Sequence, residues 1–365
     1  MNWRINLQIN ILTKGPDSYN ARAFLHPIIQ HKLLLKEHGI TYNFFYTISP
    51  KIADCDAVII DSKFFKSWYQ GRLDEMYSFL ERLHTDVKII FFDTTDSAGY
   101  VLGDVLPYID KYLKHQILSD KSLYLTSLYG RRLFSDYYHQ NFGVTDDSQH
   151  EESDPQVLNR ADLNKIDVGW NTGLSNYSLF GEYLGKLYKK TNLSIFSRTP
   201  RRFISPDAIR QYDVQCRMNT NYDKASVAFQ RQLISEDKLI GLQKNKINRY
   251  KYFKELSNTK VILSPFGLGE ITLKDFEAFI SGALLVKPSM KHMKTWPNFY
   301  IPNKTILEFD WDLKNLNEVI ESSLCRDSNR IEIAREGQNT YHHYLKSLDG
   351  SIEFAKHFKQ LLTFT

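Results

Sequence analysis

The sequence predicts an α/β protein built as two Rossmann-like domains in series, facing each other across a cleft. Three observations lead there. Strand signals and helix signals alternate along both halves, the pattern of βαβ units and parallel sheets. The length of 365 residues exceeds one ordinary domain and suits two, each burying its own core. Between the halves, TDDSQHEESDPQ (145–156) holds five acids, a proline and no aromatic residue, so it buries too little apolar surface to be more than a linker. The expected division is an N-terminal domain over 1–150 and a C-terminal domain over 157–345. A terminal helix over 346–365 is expected to pack back across them.

The elements follow in order. INLQINI (5–11) reads as a strand. A helical apolar spacing runs over 21–37 and stops at Gly39. TYNFFYTI (41–48) and DAVIID (56–61) are strands, the second followed by an amphipathic helix over 64–83. DVKIIFFD (86–93) is continuously apolar, as strands buried on both faces are. SLYLTSLY (122–129) closes the half as a weaker strand. The rhythm restarts with KIDVGWN (165–171), a helix over 177–190, NLSIFSR (192–198) and DVQCRM (213–218). A helix over 249–257, KVILSPF (260–266), a helix, ALLVKP (283–288) and TILEFDW (305–311) complete the second sheet, and 331–362 reads as helical.

Composition narrows the function. Hydrophobic residues are 42% and charged residues 24%, a globular balance. The formal charge of +5 suits an anionic ligand or a peripheral contact with acidic lipid, and it lacks the Lys/Arg stripe of a nucleic-acid binder. No nucleic acid is therefore expected as a partner. Cys55, Cys216 and Cys325 have no zinc-like spacing, and their odd number argues against a disulfide framework. No run approaches the ~18 apolar residues of a membrane span. MNWRINLQINILTKG (1–15) alternates apolar and polar residues with no small-residue cleavage site. Cytoplasmic placement is expected.

In open α/β sheets ligands sit beyond the carboxyl ends of the strands, so the interdomain cleft is the expected site. SPFGLGEITLKDFEAFISGALLVKP (264–288) is its sharpest stretch. A buried strand ends at Ser264. Gly267 and Gly269 allow a tight turn and close main-chain approach. A helix starting near Ile271 turns its positive end toward the cleft, a ready anion site to which Lys274 adds a charge. Glu270 and Glu277 fall on one side of that helix. On the other domain, Asp93 and Asp96 follow the strand KIIFFD, where a general base belongs, with His115 and His139 as further options. The segment DSYNARAF (17–24) follows the first strand and is placed to line the same cleft.

The block from RYKYFKELSNTKVILS (249–264) through KDFEAFISGALLVKP (274–288) to TWPNFY (295–300) resembles the nucleotide-sugar-binding half of GT-B glycosyltransferases. It is similar in particular to bacterial surface-polysaccharide enzymes of the family 1 and exostosin-like groups. The resemblance implies a nucleotide-sugar donor of UDP, GDP or CMP type, bound C-terminally. It implies a glycan or lipid-linked oligosaccharide acceptor, bound N-terminally; with the mild positive charge, the inner face of the plasma membrane is one place within the cytoplasm for the protein to work. Glu277 then corresponds to the ribose ligand. Ser264, Gly267, Gly269, Lys274, Arg198 and Arg249 become diphosphate or donor contacts. No metal and no resident cofactor is implied, the nucleotide sugar being a substrate. Retaining members usually hold two glutamates with seven residues between them. Here six separate Glu270 from Glu277, which leaves the role of Glu270 and the stereochemistry open. The other readings are an inactive transferase-like scaffold and a two-Rossmann enzyme such as a sugar-nucleotide epimerase.

Overall fold

The computed structural model describes residues 6–16, 18–147, 157–237, 240 and 245–364. Most of the expected linker, 148–156, lies outside the described residues.

The first half runs β1 (Leu7–Leu12), α1 (Tyr19–Gln30), α2 (Lys32–Glu37), β2 (Ile40–Phe45), β3 (Ala57–Asp61), α3 (Leu73–Asp86), β4 (Lys88–Asp93), β5 (Lys111–Lys114), β6 (Gln116–Leu118) and α4 (Leu133–Phe142). Next come β7 (Ile166–Val168), α5 (Gly181–Thr191), β8 (Tyr212–Gln215), α6 (Ala225–Glu236), α7 (Arg249–Ser257), β9 (Thr259–Leu263), α8 (Leu273–Ser281) and β10 (Leu284–Pro288). β11 (Met293–Thr295), β12 (Leu307–Phe309), α9 (Leu316–Cys325), α10 (Asp327–Lys346) and α11 (Leu348–Leu361) complete the chain. No described helix is long and apolar enough to cross a membrane.

Two parallel sheets organise these elements. The first has the order β2-β1-β3-β4-β5-β7 and the second β12-β10-β9-β8. β3 and β10 are buried at every position, as strands covered on both faces must be. β7 corrects the domain boundary. The strand expected to open the second half instead closes the first sheet, pairing Tyr112 with Ile166 and Lys114 with Val168. The first sheet therefore reaches past residue 150.

Two other expected strands are not strands. In SLYLTSLY, Asp120 accepts hydrogen bonds from the Ser122 amide and hydroxyl (2.9 and 2.6 Å). This side-chain turn starts a 3-10 segment over Lys121–Leu125. In NLSIFSR, Asn192 caps α5 in the left-handed region (φ 55°) and a 3-10 turn follows at Ser194–Phe196.

The two halves are joined by more than their linker. β6 and β11 form an antiparallel pair, with Gln116 opposite Thr295 and Leu118 opposite Met293. α11 lies against the first half: Phe354 and Phe358 pack on Trp170 (ring centroids 5.7 and 5.6 Å apart). Lys111 Nζ donates to the carbonyls of Leu361 and Thr363, each at 2.8 Å. Buried side chains from both sheets form one continuous core, with a smaller cluster around β8, β9, β10 and β12.

Candidate active site

A cleft of about 920 Å³ lies between the sheets. Its walls are the loops beyond the carboxyl ends of the strands, where the crossover topology leaves open backbone. On the first wall, Lys14 follows β1, Lys63, Lys66, Ser67 and Gln70 follow β3, and Thr95 and Asp96 follow β4. Ser18, Tyr19, Asn20 and Ala21 join them at the start of α1. There Ser18 Oγ accepts from the Ala21 amide at 3.1 Å and caps the helix. On the second wall stand Tyr222, Arg231 and the turn of Gly267, Leu268 and Gly269 after β9. Among the described residues, Lys14, Lys63, Lys66 and Arg231 face the cleft against one lining carboxylate, Asp96. The cavity is thus a receptor for anions.

The glycine turn is held from beneath. Asp275, buried in the first turn of α8, accepts from the Thr272 amide (3.0 Å), Ser264 Oγ (2.6 Å), Tyr300 Oη (3.0 Å) and Lys287 Nζ (3.0 Å). Four donors thus converge on one buried carboxylate, which fixes the turn. The network corrects two expectations. Ser264 is a buried strut, not a ligand contact. The helix N-terminus already faces its own carboxylate, Asp275, so its positive end is largely compensated. Lys274 is a third correction: its ammonium donates to the Arg217 carbonyl, off the cleft, and burial pushes its pKa down to about 8.

Arg231, not Lys274, is the cation that stands against this turn. Its Nε donates to Phe266 O, Nη2 to Pro265 O (3.3 Å) and Nη1 to Asn219 O (3.1 Å). Its guanidinium lies 5.2 Å from the Tyr222 ring centroid. A Cβ on Gly267 would stand 3.0 Å from Nη2, so the glycine lets the cation lie against the turn. Burial lowers the pKa of Arg231, yet an arginine stays charged.

The two glutamates do not act as a pair. Glu270 is fully buried and off the cleft. Its carboxylate accepts from the Ala98 amide (2.9 Å) and Ser97 Oγ (3.4 Å), across the domain interface, with His292 Nε2 at 3.4 Å. Burial raises its pKa, but the His292 contact and the Ala98 amide outweigh that and hold it below the ordinary value. The catalytic expectation for Glu270 is thereby corrected: it is a clamp between the halves. Glu277 is also buried and does not line the cleft. Tyr252 Oη donates to it at 2.8 Å, and Arg249 Nη2 lies 3.6 Å away. Arg249 in turn donates to the carbonyls of Leu179 and Ser178, each at 3.0 Å, and so braces a loop instead of lining the cleft.

Burial lifts the Glu277 pKa from 4.5 to about 7. A folded-state pKa above the unfolded one means stability that is complete below pH 4.5 and lost as pH rises through 7. The displacement corresponds to roughly 3 kcal/mol. Glu277→Gln is therefore expected to resist urea better than the wild type at pH 8 and to lose that advantage toward pH 4.5. An equal difference at both pH values would refute this.

The first half separates its candidates similarly. Asp93 ends β4 fully buried, with Lys114 Nζ at 2.6 Å and Tyr112 Oη at 2.7 Å donating to it. No acceptor can reach it, which corrects its assignment as a base. Three residues on, Asp96 is exposed on the cleft, where Asn20 Nδ2 donates to its Oδ1 at 2.7 Å. His115 is buried against the Trp170 carbonyl, and burial lowers its pKa to about 4. His139 stacks on Tyr129 (4.0 Å). Neither histidine lines the cleft. Arg198 borders a separate cavity of only about 30 Å³ with Arg22, His26 and Tyr188, so it is not a cleft residue. Lys14, Lys63, Lys66 and Arg231 were absent from the sequence-derived set. Three of the four follow a strand end by two to five residues, which is the signal that marks them. Among the described residues, no three His, Cys, Asp or Glu side chains converge to hold a metal.

No family model matches the sequence, and no curated protein matches it. Among solved structures, an alpha-glucosyltransferase (AGT) in complex with UDP aligns with a TM-score of 0.50 and 10% identity, over 98% of this chain and all (100%) of that one. The chain has the GT-B fold. A glycosyltransferase from Rickettsia africae ESF-5 aligns with a TM-score of 0.43 and 12% identity, over 99% of this chain and 100% of its own. Nothing in these likenesses singles out the exostosin-like enzymes. They do correct one expectation. An alpha-glucosyltransferase has been solved with UDP and a 13-mer DNA containing a HMU base (TM-score 0.45, 10% identity, 98% and 100% covered). The expectation that nucleic acid is no partner does not stand.

Proposed function

We propose that the protein is a nucleotide-sugar-dependent glycosyltransferase that moves a sugar onto a hydroxyl group of an acceptor. The observation that carries this reading is the cleft itself: a glycine turn backed by Arg231 on one wall, and on the other the exposed carboxylate of Asp96, the one lining carboxylate among the described residues. A diphosphate needs close main-chain approach and a fixed cation, and the turn with Arg231 supplies both. In the reaction, Asp96 takes the acceptor hydroxyl proton as its oxygen bonds to the anomeric carbon. The bond from that carbon to the diphosphate oxygen breaks, its electron pair stays on the leaving oxygen, and Arg231 offsets the negative charge that develops there. Positive side chains meet the electrostatic demand in this scheme without a resident metal or cofactor. Glu277 and Arg249, one layer behind the turn, act on the donor only through the loop they brace. A UDP-type donor is favoured because the aligned alpha-glucosyltransferase holds UDP. The acceptor belongs to bacterial surface glycans or their lipid-linked precursors, on the resemblance of 249–300, which also suits work at the inner face of the plasma membrane.

Thermal-shift titration with UDP, GDP and CMP tests the reading. A nucleotide at 100 times its Kd should stabilise the fold by about 2.7 kcal/mol. Asp96→Asn should keep that shift and lose about 10²–10⁴-fold in transfer rate. Absence of a shift with all three nucleotides would overturn the assignment.

A further inference from the structure

The first wall carries more positive charge than a donor alone explains. Lys14, Lys63 and Lys66 all line it. Among the described residues none of the three makes an ion pair with a carboxylate. Their convergence is set by the sheet. β1 and β3 are parallel neighbours, with Leu12 opposite Ile60, so the segments that follow them emerge side by side. β4 pairs with β3 on its other edge, Asp61 opposite Phe92. The order β1-β3-β4 therefore places Lys14, then Lys63 and Lys66, then Asp96 in one row along the lip of the cleft.

That row is rigid. Buried Asp61 accepts from Thr13 Oγ1 after β1 (2.9 Å), from Thr94 Oγ1 after β4 (3.3 Å) and from the Lys63 amide (3.0 Å). One carboxylate thus ties three strand ends together. Lys14 Nζ is held 4.8 Å from the ring centroid of buried Phe64. Three lysines on one lip raise the positive potential there and favour an anion lying among them. Compact ammonium groups suit a phosphoryl group, which presents several oxygens and more than one charge.

We infer that the acceptor carries a phosphoryl group bound by Lys14, Lys63 and Lys66 while Asp96 receives the proton of its hydroxyl. The inference rests on the transferase reading above and adds the acceptor's chemical class. Strands lie ~4.8 Å apart, so one to two strand spacings separate the lysines from Asp96. The phosphoryl group therefore stands about 5–10 Å from the reacting hydroxyl, next to it or one sugar ring away.

The test uses the full chain saturated with UDP, titrated calorimetrically at fixed ionic strength with sn-glycerol 3-phosphate, with glycerophosphoglycerol as a diester probe and glycerol as the neutral control. Both phosphate probes should bind and glycerol should not. The tighter of the two identifies the source as a phosphomonoester or a phosphodiester. Lys14→Ala/Lys63→Ala/Lys66→Ala should keep its melting behaviour and its UDP affinity within about twofold, and should bind the phosphate probes at least tenfold more weakly. No phosphate binding to the UDP-loaded wild type would overturn the inference and leave the donor assignment standing. A parallel loss of UDP affinity in the triple variant would overturn it too, by giving the lysines to the donor. A wild type that fails to bind UDP at all would remove the transferase reading and this inference with it.

Discussion

Asp93→Ala is expected to destabilise the protein by about 3–5 kcal/mol, the penalty of leaving one partner of a buried ion pair alone. Asp93 and Lys114 are both fully buried and meet at 2.6 Å. Tyr112 Oη and Thr95 Oγ1 donate to the same carboxylate at 2.7 and 2.8 Å. Without Asp93 the Lys114 ammonium keeps Thr95 Oγ1 as a partner but has no counter-charge, and Tyr112 keeps a buried hydroxyl whose acceptor is gone. The carboxylate's pKa lies below its ordinary value despite burial, because Lys114 and the hydroxyl donors favour the charged form. Its stabilising contribution is thus present above pH 3.8 and lost as pH falls through the depressed value. Urea unfolding at pH 7 measures the effect. The double variant Asp93→Leu/Lys114→Met should recover most of it, since an apolar pair of similar volume often matches or exceeds a buried ion pair. A single variant within 1 kcal/mol of wild type would show that the pair is not the strut the geometry makes it.

The contrast between Asp93 and Asp96 shows where sequence reading stops. Both belong to FFDTTD (91–96), at a strand end where cleft residues belong, and that much can be read from the apolar run before them. What separates them is direction. Asp93 is the last strand residue and turns inward to a lysine that is itself core, whereas Asp96 crowns the loop. Lys114 also hides β5 and β6, because KYLKHQIL (111–118) looks too polar for a central strand until its charge is seen to be paired. The block 264–288 behaves alike. Its strand, turn, helix and returning strand follow from VILS, the glycines, Gly282 in the left-handed region (φ 67°) and the apolar ALLV. The orientations of Ser264, Glu270 and Lys274 do not follow, since a single-residue change of direction after the turn sends each side chain into the protein. The cleft lysines are hidden for the opposite reason. Lysine is the commonest sort of surface residue, and only the pairing of β1 with β3 gathers three of them in one place.

Gly269→Ala should be the most damaging small substitution in the cleft. The added Cβ would lie 1.9 Å from the Asp96 carbonyl oxygen and 2.4 Å from its carbon, main chain against main chain, where no rotamer change can help. The walls must part by roughly 1 Å to restore contact distance. Overpacking of this kind costs about 1–3 kcal/mol. The shift also strains the neighbouring clamp, because Glu270 reaches across the same gap to the Ala98 amide at 2.9 Å. A buried carboxylate that loses that donor adds a further ~1–3 kcal/mol. Gly143→Ala is the control: unlike Gly269 it is in the left-handed region (φ 66°), and a Cβ there meets nothing within 4 Å, so it should cost only about 1 kcal/mol of backbone strain. The consequence for function follows from the same contact. Gly269 and Glu270 pin the glycine turn to the loop that bears Asp96, so on the transferase reading proposed above the spacing between leaving group and base is set by this contact. Gly269→Ala should therefore lower transfer far more than UDP affinity, whereas a clash absorbed without moving the walls would leave transfer and melting temperature close to wild type and refute the claim.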